Sequence, residues 1–113
     1  MKRDMDLIRF ILLEIERADE EDVENMTIDG YSSNEIMYNA NLMKQNNMIN
    51  TCKEDIIGNY YIGSLTWDGS DYLDKVRDDT KWKKIKGIIK EKALPFTIDI
   101  ASSGARISFP KEL

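Results

Sequence analysis

Leu42-Met43-Lys44-Gln45-Asn46-Asn47-Met48-Ile49-Asn50-Thr51-Cys52 holds the transition on which the fold turns. Before it, Ile36, Ala40 and Met43 recur at the three- and four-residue spacing of a helix, with Leu42 beside them. Asn46-Asn47 then offers a left-handed stop, because Asn tolerates positive φ better than most residues. Met48 to Cys52 reads as a strand. A helix thus runs with almost no loop into extended chain. Working backwards, Ser32 or Ser33 caps this helix, and Glu35 stands where a capping box from Ser32 needs it.

Forwards, Lys53-Glu54-Asp55 and Gly58-Asn59 form a long tip, and residues 60–67 return as an aromatic and β-branched strand. Asp68 is expected to cap a third helix with Tyr72, Leu73 and Val76 as its stripe. After a break at Asp78-Asp79-Thr80, a fourth helix buries Trp82, Ile85 and Ile89 and carries Lys83, Lys86 and Lys90 on another face. Trp67 and Trp82 are both expected in the main core.

Upstream, residues 4–18 predict a first helix through Met5, Ile8, Leu12 and Ile15, with Leu7, Ile11 and Ala18 alongside. Phe10 and Leu13 lie outside that stripe, so the helix is apolar over more than half its circumference and is deeply buried or meets a partner. Residues 19–25 read as an acidic, solvated link, and Met26-Thr27-Ile28 as a short strand before the Asp29-Gly30 turn. In the tail, Phe96, Ile98 and Ile100 alternate, as do Ile107 and Phe109, which suits a hairpin. Pro95 opening a helix with Ile98 and Ala101 on one face is the other reading of residues 95–113.

Helix, short strand, helix, strand, strand, helix is the winged-helix order. The expected class is α+β, winged helix-turn-helix-like, with helices packed on a small two- to three-stranded antiparallel wing. The helix before the wing stands where DNA-binding members carry their recognition helix. Residues 1–113 suit a single domain. At this size a stability of about 5–15 kcal/mol requires nearly every apolar stripe to face the core.

Composition narrows the function. Cys52 is the only cysteine, so an intrachain disulfide is excluded. No apolar run approaches a membrane span, and acids follow at once on Lys2-Arg3, unlike a signal peptide; a cytoplasmic location follows by elimination. The net charge of −5 is uneven: residues 1–30 carry 4 basic and 10 acidic side chains, residues 31–80 carry 4 and 8, and residues 81–113 carry 8 and 3.

Three stretches resemble one family: Met1-Lys2-Arg3-Asp4-Met5-Asp6-Leu7-Ile8-Arg9, the helix end from Leu42 to Ile49, and Leu65-Thr66-Trp67-Asp68-Gly69-Ser70-Asp71-Tyr72-Leu73-Asp74 with Arg77-Asp78 and Trp82 behind it. They are similar to the bacterial and phage proteins grouped as domain of unknown function 2513, over roughly residues 1–95. That resemblance implies a winged-helix-like fold, no known enzymatic activity and frequent residence on phages and prophages. The family often has His where Asn39 and Ser70 stand here, and Gly where Asn47 stands, so no role resting on those histidines transfers to this chain. It also tends to end in a helix, which tips the tail towards that reading.

The chain has no histidine, which removes the commonest general base and the Ser–His and Cys–His pairs. No zinc set, phosphate loop or calcium loop is present, and no metal, cofactor or small-molecule substrate is expected. Asp71, Asp74 and Asp78 fall at helical spacing and would be the acids of a metal-dependent enzyme, but solvated helix charges near Lys75 and Lys83 explain them more simply. Cys52 beside Lys53 would be a lowered-pKa thiol or, more commonly, a half-buried strand cysteine.

An interaction protein of regulatory type is what is left, with DNA as the leading partner because of the fold. The nucleic-acid-binding residues would be Asn39, Asn41, Lys44 and Gln45 on the recognition helix, and Lys83, Lys86 and Lys90 on the basic helix. Asn39→Ala would then change sequence preference more than affinity. The alternative is a docking module that binds or inhibits a host replication, transcription or defence protein, since one fold serves many functions. A homodimer through the first helix would improve the DNA case by presenting two basic faces.

Overall fold

In the computed structural model, which describes residues 1–19 and 21–92, the capping box at Ser32 forms as the sequence predicts. The Glu35 N–H donates to the Ser32 hydroxyl at 3.2 Å, and the Ser32 N–H donates to the Glu35 carboxylate at 3.0 Å. Two orphan donors of the first turn are thereby satisfied. The elements in order are α1 (Met5–Ala18), β1 (Asp22–Glu24), α2 (Ser33–Gln45), β2 (Ile49–Glu54), β3 (Tyr60–Leu65), α3 (Trp67–Val76) and α4 (Asp79–Lys92). The class is α+β, with a small antiparallel sheet in the order β1-β3-β2. Two compact units divide the chain, the first ending at Ser70 and the second beginning at Asp71.

In the first unit, α1 starts at the Asp4 cap, whose carboxylate accepts from the Leu7 N–H at 3.1 Å. It ends at Asp19 in the left-handed region. Leu7, Ile8, Ile11, Leu12 and Ile15 are buried, as are Ile36, Ala40 and Met43 of α2 and Ile49, Cys52 and Ile62 of the sheet. α1 packs on α2 and on β3, and α2 packs on β2. Asn47, at φ 59°, turns the chain from α2 into β2 as the Asn46-Asn47 pair predicts.

The short strand is not where the apolar residues suggested. It is Asp22–Glu24, inside the acidic link, and it pairs Val23 with Ile62 and Glu24 with Tyr61. An edge strand is held by its backbone ladder, so three residues with one apolar side chain suffice. Met26 is buried instead as a single anchor. The Asn25 N–H donates to the Tyr60 carbonyl at 2.8 Å, and the Tyr60 hydroxyl donates to the Met26 carbonyl.

The start of α3 also differs from the reading. Thr66, not Asp68, is its cap: the hydroxyl accepts from the Gly69 N–H at 2.9 Å and donates to the Asn47 carbonyl at 2.6 Å. Trp67 is therefore the first residue of the helix rather than the end of a strand. It is 89% exposed, which corrects its placement in the core. In the second unit, Tyr72, Leu73 and Val76 of α3 and Trp82 and Ile85 of α4 are buried. The Asp78 carboxylate accepts from the Lys81 N–H at 2.8 Å and so begins α4. The reading of residues 95–113 as helix or hairpin falls outside the described residues, as does the side chain of Lys90.

Candidate interaction surface

The outer face of α2 is set by the helical period. With Ile36, Ala40 and Met43 turned inward, Ser33, Asn34, Tyr38, Asn41, Lys44 and Gln45 face solvent. Asn41, Lys44 and Gln45 therefore share one face. Asn41 spends its amide on its own helix, donating to the Met37 carbonyl at 3.0 Å.

Asn39 does not join them. It is 1% exposed, its Oδ1 accepts from the Asp4 N–H at 2.8 Å, and its Nδ2 donates to the Glu35 carbonyl at 2.9 Å. The side chain joins the N-terminus of α1 to α2, and burial, contrary to the expectation from sequence, leaves it no path to a base edge. Asn39→Ala is expected to destabilise the protein by about 1–3 kcal/mol, because it orphans a part-buried N–H. A urea unfolding curve checks this, and an unchanged midpoint would refute the joint.

The basic residues lie in the second unit. Lys83 is exposed and pairs with Asp79 at 3.1 Å. The Lys86 ammonium stands 5.7 Å from the centre of the Trp82 ring, a cation–π distance. The three acids are also accounted for locally: Asp74 pairs with Arg77 at 2.8 Å, Asp78 caps α4, and Asp71 is exposed. Among the described residues no group of three or more His, Cys, Asp or Glu side chains is arranged to hold a metal ion.

Cys52 sits on the buried side of β2. Burial pushes its thiol pKa up, against a smaller opposing pull from Lys44.

The tip between β2 and β3, read in sequence only as a connection, is tightly hydrogen-bonded. The Asp55 Oδ1 accepts from the Ile57 N–H at 3.0 Å and from the Asn59 N–H at 2.9 Å, and its Oδ2 accepts from the Tyr61 hydroxyl at 3.2 Å. Desolvation works to raise the Asp55 pKa, but these hydrogen bonds together hold it below the usual carboxylate value. Backbone bonds from Asp55 to the Asn59 carbonyl (2.8 Å) and from Gly58 to the Asp55 carbonyl (3.2 Å) close the turn, with Gly58 at φ 94°. Asn25 Nδ2 ties the tip to the link by donating to Asn59 Oδ1 at 3.0 Å.

Held in this frame, Ile56 and Ile57 point into water, at 104% and 79% exposure. The signal for them was an apolar pair between turn-forming Asp55 and Gly58, at the end of a hairpin too narrow to cover it. A shallow groove of about 720 Å³ lies elsewhere on the unit, between α1 and residues 27–29. Phe10, Leu13 and Ile28 line it, beside the Glu14–Arg17 ion pair. Phe10, left outside the main stripe, is partly covered by the Tyr31 ring at 6.3 Å. No helix among the described residues is long and apolar enough to cross a membrane.

The family described as "Hypothetical protein (DUF2513)" matches residues 2–95. A Haemophilus influenzae protein described as "Uncharacterized protein" is 33% identical over 103 residues, covering 88% of this chain and 87% of the relative. No solved structure matches.

Proposed function

The chain belongs to the DUF2513 family, and on that premise we propose that it is a non-enzymatic, winged-helix-like protein of regulatory type that docks on another protein. The observation that carries this is the character of the α2 face. With Asn39 buried, that face offers Lys44 as its single cation, within a unit whose residues 1–70 carry 6 basic against 14 acidic side chains. Phosphate neutralisation supplies most of the affinity of a DNA binder, and such a unit repels phosphates. The adjacent, solvent-exposed isoleucines Ile56 and Ile57 favour a protein partner instead. In this proposal the protein works in the cytoplasm, is phage- or prophage-associated, and takes a host protein as its target.

DNA is the second reading, favoured by the exposed amides of Asn41 and Gln45 beside Lys44 and by the exposed Lys83 of α4. A fluorescence-anisotropy titration against random duplex, at about 0.15 M salt where the Debye length is about 8 Å, separates the two. Binding no tighter than about 10⁻⁴ M is expected. Sub-micromolar binding that is lost when Lys83, Lys86 and Lys90 are changed to Glu would overturn the docking reading.

A further inference from the structure

We propose that the outer stripe of α1 is a self-association surface, on which a second copy of this chain packs its own α1 in the antiparallel sense. Self-association here does not depend on whether the protein's target is a protein or DNA.

The stripe is set by the helical period. Leu7, Ile8, Ile11, Leu12 and Ile15 turn one side of α1 into the core. At about 100° per residue, Asp6, Phe10, Leu13 and Arg17 fall within about 60° of one another on the opposite side. Phe10 is 39% exposed even with the Tyr31 ring against it, and Leu13 is half-buried. Ile28 continues this apolar centre along the shallow groove. Arg17 stays exposed although it pairs with Glu14, and a guanidinium has donors enough for a second carboxylate.

The order of charges selects the occupant. Along the stripe run an acid, two apolar residues and a base, over about 16 Å of helix. A two-fold axis midway between Ile11 and Leu12 lays Phe10 of each copy on Leu13 of the other, and Asp6 of each on Arg17 of the other. Both contacts form twice, as an isologous interface requires. A parallel pair would set Asp6 against Asp6 and Arg17 against Arg17. The antiparallel register also keeps the two Glu16 carboxylates, which flank the stripe, about 13 Å apart along the axis. The stripe therefore complements its own copy in one register, whereas an unrelated helix would have to match all four positions.

Sedimentation equilibrium of the full chain tests this. A face one helix wide is at the small end of protein interfaces, so a dimer with a dissociation constant of about 10–100 µM is expected. A chain that stays monomeric at the top of that range overturns the proposal.

Asp6→Arg and Arg17→Asp are each expected to weaken self-association at least about fivefold, because each sets like charges together twice. Mixed in equal amounts, the two variants regain opposite charges at both contacts and should associate about as tightly as the parent. Reversals that leave the constant unchanged, or weakened variants that do not rescue each other, place the dimer on another surface and overturn the proposal. Leu13→Ser removes the apolar centre without touching a charge and is expected to weaken the dimer about tenfold, as when an anchor is truncated. It decides the matter where far-ultraviolet circular dichroism shows that a charge reversal disturbs the fold, and an unchanged constant for it also overturns the proposal.

Discussion

Trp82→Ala is expected to lower stability by about 3–5 kcal/mol, the range for a buried aromatic, whereas Trp67→Ala should change it by no more than about 0.5 kcal/mol. The two indoles lie fifteen positions apart and look alike in sequence, but their surroundings differ completely. Trp82 is 1% exposed, and its deletion leaves a cavity that neighbouring side chains fill only in part. Trp67 projects from the first turn of α3, where the truncated atoms already face water. Urea unfolding of both variants measures the difference, with equal slopes confirming that the midpoints report stability. Comparable losses at both positions would mean that Trp67 is covered in solution.

The misplacement of Trp67 shows which features a single sequence carries. Thr66 and Asp68 are both acceptable caps, and propensity leans towards Asp68. The choice is made by the Thr66 hydroxyl, which donates to the Asn47 carbonyl nineteen positions earlier while accepting from Gly69. That is a tertiary contact, and moving the helix start by two residues carries Trp67 from the sheet to the surface. β1 was hidden for a related reason, since its three residues are held by backbone pairing to β3 and bury little. The capping box at Ser32, the Asn47 turn and the β2–β3 hairpin were legible because each is encoded within a few residues.

The surface was less legible than the fold, though some of its signals were present. Ile36, Ala40 and Met43 define a buried stripe, and position 39 completes its i, i+3, i+4, i+7 spacing. Asn39 thus falls on the inner face by period alone, although an Asn amide is equally the chemistry of an adenine reader. The turn formers Asp55 and Gly58 mark this stretch as loop, and no local pattern sets Ile56 and Ile57 apart from it. Asn41, Lys44 and Gln45 fell where the period placed them.

Gly69→Ala is expected to destabilise the protein by about 3 kcal/mol, near the upper end for an overpacked site, although helix propensity alone favours alanine there by about 1 kcal/mol. A Cβ at Gly69 would lie 2.0 Å from the Met48 carbonyl oxygen and 2.9 Å from its carbon. Both are backbone atoms at the junction of α2 and β2, so no side-chain rotation relieves the clash. The same carbonyl accepts from the Thr66 N–H at 3.1 Å, and the Gly69 N–H donates to the Thr66 hydroxyl at 2.9 Å. Moving Gly69 outward therefore strains the cap of α3 as well as its seat. Gly87 in α4 is the internal control, because a Cβ there meets nothing within 4 Å. Gly87→Ala should raise stability by about 0.5–1 kcal/mol through propensity alone. Opposite shifts of the urea midpoint for two glycines that are both helical in sequence would show that the approach of α3 to Met48 outweighs local preference. A gain at both positions would show that this close approach does not exist in solution.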